Sequence, residues 1–169
     1  DYARSGDASA EMDIHLMRMA RMFIGTTSGF AYVATGFGVP TAMVNALTSL
    51  GQIWPKDTRF ALKPVYTSEG RLLTQRDITS EQWRWAFPTH ESLKNAGLVV
   101  EENSSDEILE TVKETLSLTF ADTPEAASSW LPIWVNSVSF PDYYGSSRPS
   151  KYFLEKYGNA FLPDNEVIG

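Results

Sequence analysis

Cysteine is absent, which excludes disulfides, iron–sulfur clusters and thiolate-bound zinc. Histidine is nearly so: His15 and His90 are too few for a histidine-built metal centre. With no Asp-x-Asp pair either, neither a divalent metal nor a tightly held cofactor is expected. No apolar run approaches the roughly 18 residues that mark a membrane span. The opening residues, Asp1-Tyr2-Ala3-Arg4-Ser5-Gly6-Asp7, are polar and carry no signal-peptide pattern, so a cytoplasmic setting is expected. A basic surface is missing too, since acids outnumber bases 21 to 14, and nucleic-acid binding is not expected.

Where the acids fall is informative. Residues 98–125 hold eight of them against Lys113 alone, and outside that stretch acids and bases balance at 13 each. Such a run reads as a solvated helix face. The 169 residues are 43% hydrophobic, enough for a core of one-domain size.

Periodicity then divides the chain. Residues 9–21 read as a helix started by Asp7 or Ser9, with Met12, Leu16, Met19 and Ala20 along one stripe. Met22-Phe23-Ile24 is too short for a helix and suits a buried parallel strand. After Gly25-Thr26-Thr27-Ser28-Gly29 a second helix carries Phe30, Val33, Ala34 and Phe37 on one face. It stops at Gly36, Gly38 and Pro40, and Thr41 to Val44 form another strand ending at Asn45. Alternating elements of this kind predict a parallel sheet flanked by helices, the Rossmann-like α/β class.

Residues 46–61 read as a long loop, with a strand from Leu62 to Tyr66, a turn from Gly70 to Asp77 and a short helix from Thr79 to Phe87. Leu98-Val99-Val100 reads as a third strand. Ser104-Ser105-Asp106-Glu107 is a capping box, starting a helix to about Leu118 with Ile108, Leu109, Val112 and Leu116 inward. Thr123-Pro124-Glu125 signals another helix through Trp130, Trp134 and Val138, interrupted by Pro132. A loop with Pro141, Gly145 and Pro149 precedes a short helix around Lys151 to Tyr157. Residues 1–120 are expected as part of a Rossmann-like domain, and 121–169 as a helical extension packed on the same domain.

The segment from Gly25 to Gly29 reads as a site. It leaves the carboxyl end of a strand and enters a helix, where open α/β sheets bind ligands. Free helix amides, the dipole and three hydroxyls (Thr26, Thr27, Ser28) would hold a phosphate or diphosphate without lysine or arginine. The loop lacks the spacing and lysine of a P-loop and the full dinucleotide fingerprint. The alternative is that Thr27 or Ser28 caps the helix and Gly25 permits the turn. Asn45 is a further candidate contact. Arg148, after Ser146-Ser147, is another candidate for a diphosphate or else a surface ion-pair partner. His15 lies in an ion-pair row with Glu11 and Arg18, His90 reads as structural, and Asp13 on its own reads as a helix-surface acid. Trp130, Trp134, Tyr143, Tyr144, Tyr152 and Phe153 suit core or domain contact better than sugar stacking.

Phe23-Ile24-Gly25-Thr26-Thr27-Ser28-Gly29, then Gly38-Val39-Pro40-Thr41 and Asn45, resembles the donor-binding half of GT-B glycosyltransferases of the heptosyltransferase-like kind. Asp1-Tyr2-Ala3, Met12-Asp13-Ile14, Leu50-Gly51-Gln52, Arg71-Leu72-Leu73 and Glu102-Asn103 follow the order seen in a bacterial glycosyltransferase family associated with surface polysaccharides. The likeness covers roughly residues 1–120, and Phe161-Leu162 fits it less clearly. It implies two Rossmann-like domains with the active site between them, the carboxyl-terminal one gripping a nucleotide-sugar. Gly25 to Gly29 would then meet the donor phosphates, and Glu101 or Glu102 a ribose or base. The amino-terminal domain would supply acceptor contacts and the catalytic base, while the Gly25 to Gly29 loop and helix dipole would stabilise the leaving diphosphate; the likeness names no catalytic residue in this chain. The likeness also implies that the chain starts partway through the donor domain, so that the fragment is inactive alone and self-associates through an exposed sheet edge or around Trp130 and Trp134. A non-catalytic assembly module, or another phosphate-binding α/β enzyme such as an epimerase relative, remains open beside this reading.

Overall fold

A computed structural model describes residues 2–47, 54–74, 77–78, 80–82, 89–120 and 145–161. Tyr2–Arg4 forms a single 3-10 turn, followed by helix α1 (Ala10–Met19), strand β1 (Phe23–Gly25), helix α2 (Gly29–Gly36) and strand β2 (Thr41–Ala46). Strands β3 (Thr58–Leu62) and β4 (Val65–Tyr66) come next, then helix α3 (His90–Asn95), strand β5 (Val99–Val100) and helix α4 (Ser105–Leu118). Strand β6 (Arg148–Pro149) and helix α5 (Lys151–Phe161) complete the described elements.

The parallel sheet has the order β1-β2-β3-β6, and β4 and β5 form a small antiparallel pair beside it. Helix α2 packs on β1 and β2, and α4 packs on β2 and β3 and against α5. The fold is therefore a mixed α/β domain with a four-stranded parallel sheet flanked by helices. Every residue of β3 is buried, as is all of β2 except Asn45, which requires cover on both sheet faces. Met43, Trp54, Phe60, Leu62, Leu93 and Phe153 fill the core, with the Trp54 and Phe60 rings 5.1 Å apart.

The helix starts follow the capping chemistry. Ser9 accepts from the Met12 amide, Ser28 from that of Ala31, and Ser104 and Glu107 close the reciprocal box that starts α4. Helix faces depart from the expected stripes. In α2 the sheet is met by Ala31 and Ala34, because small side chains let a short helix approach closely, whereas Phe30 and Phe37 are exposed. In α4 the inward row is Glu107, Thr111 and Thr115, all polar, and Leu109 and Leu116 face solvent. The threonines are satisfied locally: Thr111 Oγ1 donates to Ser150 Oγ at 2.8 Å, and Thr115 Oγ1 donates to the Thr111 carbonyl. The acidic run is therefore not wholly a solvated face, since Glu107 is 1% exposed.

Two strands lie where loops were expected. Strand β3 takes up the end of the expected 46–61 loop and runs on to Leu62, its apolar run interrupted by Arg59, which is buried beside Glu114 at 2.8 Å. Arg148-Pro149, expected as loop, is the fourth strand and pairs with Arg59-Phe60. Proline is tolerated there because β6 is the edge strand of the sheet among the described residues. Leu98 to Val100 supplies β5, yet it joins the antiparallel pair rather than the parallel sheet. Most of the Thr79–Phe87 helix and all of Trp130, Trp134, Tyr143 and Tyr144 lie outside the described residues.

Candidate functional site

The carboxyl ends of β1, β2 and β3 open onto one edge of the sheet, where the Gly25–Gly29 loop lies beside Asn45. Strand β2 bulges there: Met43 pairs with Phe60, but Ala46 rather than Asn45 pairs with Leu62. The extra residue is accommodated at Asn45, whose φ of 53° makes it the one described non-glycine residue in the left-handed region. Asparagine tolerates that conformation best among residues with a side chain.

A pair of asparagines fixes the bulge. The Asn45 amide donates to Asn103 Oδ1 and the Asn103 amide donates to Asn45 Oδ1, each at 2.6 Å. Asn103 Nδ2 donates to the Leu62 carbonyl at 2.8 Å. One side chain thus ties the ends of β2 and β3 to the start of α4. Asn103 is 6% exposed and was legible only as part of the Glu102-Asn103 pair before the capping box.

The three loop hydroxyls are not equivalent. Thr26 Oγ1 donates to the Asn45 carbonyl at 3.1 Å, tethering the loop to the bulge. Ser28 Oγ is the cap of α2. Thr27 is exposed, with no hydrogen-bond partner among the described residues, so its hydroxyl is the one available to a ligand. Ahead of the capped turn, the Gly29 and Phe30 amides are first-turn donors with no intrahelical acceptor. A Cβ on Gly29 would meet nothing within 4 Å, whereas one on Gly25 would come 2.8 Å from the Phe23 ring. Gly25 therefore serves packing, and Gly29 leaves open space in front of α2.

Glu101 and Glu102 are exposed and follow β5 into Asn103. Glu102 Oε1 pairs with Lys63 Nζ at 2.6 Å, and the Glu101 amide donates to the Pro64 carbonyl at 3.0 Å. Burial raises the Tyr66 phenol's pKa, and the negative charge of Glu101 raises it further. The structure thus brings Gly25–Gly29, Asn45 and the 101–103 segment to one edge of the sheet. Arg148 is elsewhere: it is level with Ile24 but three strand spacings away, about 14 Å. Its guanidinium shares Glu114 with Arg59.

Beyond Asn103, Glu107 Oε2 accepts from the Ser104 amide at 2.7 Å and from Lys156 Nζ at 3.2 Å. Burial alone raises this carboxyl's pKa, but the Ser104 donors and the lysine outweigh it and bring the net value below the ordinary 4.5. A carboxylate whose folded pKa is depressed stabilises the fold above its unfolded pKa and loses that contribution as pH falls through the folded one. Wild type is therefore expected to lose stability between neutral pH and about pH 3 more steeply than Glu107→Gln. Urea melts at both pH values check this; parallel pH dependences would mean that Glu107 is not held as the anion.

These contacts define a class of protein: a parallel α/β domain whose carboxyl edge carries a hydroxyl-rich strand-to-helix turn. No family model, curated protein or solved structure matches the chain. Among the described residues, no cluster of acidic and histidine side chains is placed to hold a metal, and no helix is long and apolar enough to cross a membrane.

Proposed function

We propose that this chain is the donor-binding region of a glycosyltransferase of the GT-B kind, acting in bacterial surface polysaccharide or glycoconjugate synthesis. The diphosphate of a nucleotide-sugar sits before α2, against Thr27 and the Gly29 and Phe30 amides. One observation carries the reading: at the carboxyl edge of the parallel sheet, the exposed Thr27 hydroxyl has no partner among the described residues, and a Cβ on Gly29 would meet nothing within 4 Å. Helix amides and the dipole would stabilise the negative charge that develops on the departing diphosphate. The catalytic base would come from outside the described residues, and the chain alone would not turn over.

The test is a thermal-shift titration against UDP, GDP, CMP, ADP and their sugar conjugates. A ligand at about 100 times its Kd adds about 2.7 kcal/mol to the folded state. Thr27→Ala is expected to melt with wild type, within about 0.5 kcal/mol, because its side chain supports nothing in the fold. It should nonetheless bind the responsive nucleotide about tenfold more weakly, the loss of one hydrogen bond to a charged group. Gly29→Ala should also keep its stability and weaken binding, by filling the open space. Ser28→Ala is the poorer probe, since it removes a helix cap worth about 1 kcal/mol. A nucleotide response that both Thr27→Ala and Gly29→Ala retain would remove this loop from the site.

The rival reading, a non-catalytic assembly module, is favoured by the apolar side chains left uncovered on α1 and α2. Met19, Phe30, Tyr32 and Phe37 are each more than two-fifths exposed. No response to any nucleotide, with association intact, would support it.

A further inference from the structure

Helix α1 has an apolar stripe that the described fold does not use. Met12, Leu16 and Met19 recur at the i, i+4, i+7 spacing of a helix seam and are 39%, 46% and 69% exposed. No residue of α1 is buried; the helix packs on α2, Asp13 and Met17 are half-buried, and the Tyr2 phenol donates to Asp13 at 2.9 Å. Beside α2, β1 is the last strand of the sheet among the described residues. Phe23 and Gly25 face β2 for hydrogen bonding, so the backbone groups of Ile24 point outward from the sheet edge. Its side chain is 49% exposed. Among the described residues, the end formed by α1 and β1 thus carries uncovered apolar side chains beside an open strand edge.

The charges on α1 identify what fits it. Glu11, His15 and Arg18 line one flank of the stripe, all exposed, and neither Glu11 nor Arg18 has an ion-pair partner among the described residues. Glu11 and Arg18 are seven residues apart, about 10.5 Å along the axis. A two-fold axis normal to the helix between Ile14 and His15 places Glu11 of each copy opposite Arg18 of the other. The same operation turns the two apolar faces toward each other, with Met12 of each copy within about one residue of Leu16 of the other and Met19 level with the partner helix's first residue, Ala10. A self-complementary pattern of this kind is what a two-fold interface requires.

The geometry points to a second copy of this chain as the occupant, docked antiparallel through α1. The pairing is independent of the nucleotide reading and lies on a different element from the Gly25–Gly29 turn.

The 169-residue chain should show concentration-dependent dimerisation by sedimentation equilibrium from micromolar to millimolar protein, and Leu16→Glu should be monomeric. Glu11→Arg alone and Arg18→Glu alone should each weaken the dimer about tenfold or more, because each places like charges face to face. An equimolar mixture of these two single variants should recover a heterodimer, and Glu11→Arg with Arg18→Glu in one chain should recover the homodimer. Far-ultraviolet circular dichroism melts confirm that these exposed substitutions leave the fold intact. Wild type monomeric throughout would overturn the proposal and assign the face to a different partner. A dimer indifferent to both charge reversals would overturn it equally, by removing the interface from α1.

Discussion

Glu114→Gln is expected to destabilise the protein by about 3 kcal/mol, the scale for removing one member of a buried ion pair. Glu114 Oε1 receives Arg59 Nε at 2.8 Å and lies 3.6 Å from Arg148 Nη2. Its Oε2 accepts from the Lys151 amide at 2.6 Å, at the start of α5. Arg59 and Arg148 are adjacent across β3 and β6, so this carboxylate separates two like charges while binding α4 to both strands and to α5. The three side chains are 5%, 11% and 17% exposed, so water screens them poorly. Glutamine preserves the shape and one acceptor but leaves the two guanidiniums without their shared charge. A fall in Tm of roughly 6–12 °C follows for a domain of this size. Adding Arg148→Met to Glu114→Gln should restore part of the loss, since it removes the repulsion. A change below about 1 kcal/mol would mean that solvent already neutralises the pair.

That ion-pair cluster also explains where sequence patterning stops. From Ala10 to Ala46 the order of helix, strand, turn, helix and strand is legible, because short apolar runs and serine caps are local signals. The capping box at Ser104 and Glu107 is legible for the same reason. Strand β3 is not, because the charge that Arg59 buries is met by Glu114, 55 residues away. Strand β6 is two residues long and contains a proline; pairing with β3 makes it a strand, helped by the Ser150 amide donating to the Phe60 carbonyl. Stripes fail where burial is decided by neighbours: Ala31 and Ala34 displace Phe30 and Phe37 from the inner face of α2.

The same distinction runs through the candidate site. The turn from Gly25 to Gly29 is readable as a hydroxyl-rich strand-to-helix junction, and Asn45 as a residue beside it. The division of labour is not readable: Thr26 tethers, Ser28 caps and Thr27 is exposed with no partner among the described residues. Nor is the commitment of the Asn45 side-chain oxygen to Asn103, a contact across 58 residues.

Asn103→Ala should therefore affect stability and binding together. It removes Oδ1 from the Asn45 amide and Nδ2 from the Leu62 carbonyl, leaving two backbone groups in a largely closed site to find new partners. At about 1–3 kcal/mol for each unsatisfied group, with some relief by water, a loss near 3 kcal/mol is expected. Asn103→Asp separates the two bonds: the acceptor for Asn45 is kept, but a carboxylate oxygen now faces the Leu62 carbonyl, so this variant too should lose stability. Asn45→Gly should be milder than Asn45→Ala by about 1 kcal/mol, because both lose the side-chain bond but only alanine is strained at positive φ. Any nucleotide response of wild type should weaken in Asn103→Ala even where it remains folded, since Thr26 is tethered to the Asn45 carbonyl that the asparagine pair holds in place. An Asn103→Ala protein that is destabilised but binds the nucleotide with wild-type affinity would uncouple the bulge from the turn, leaving the asparagine pair a purely structural clasp.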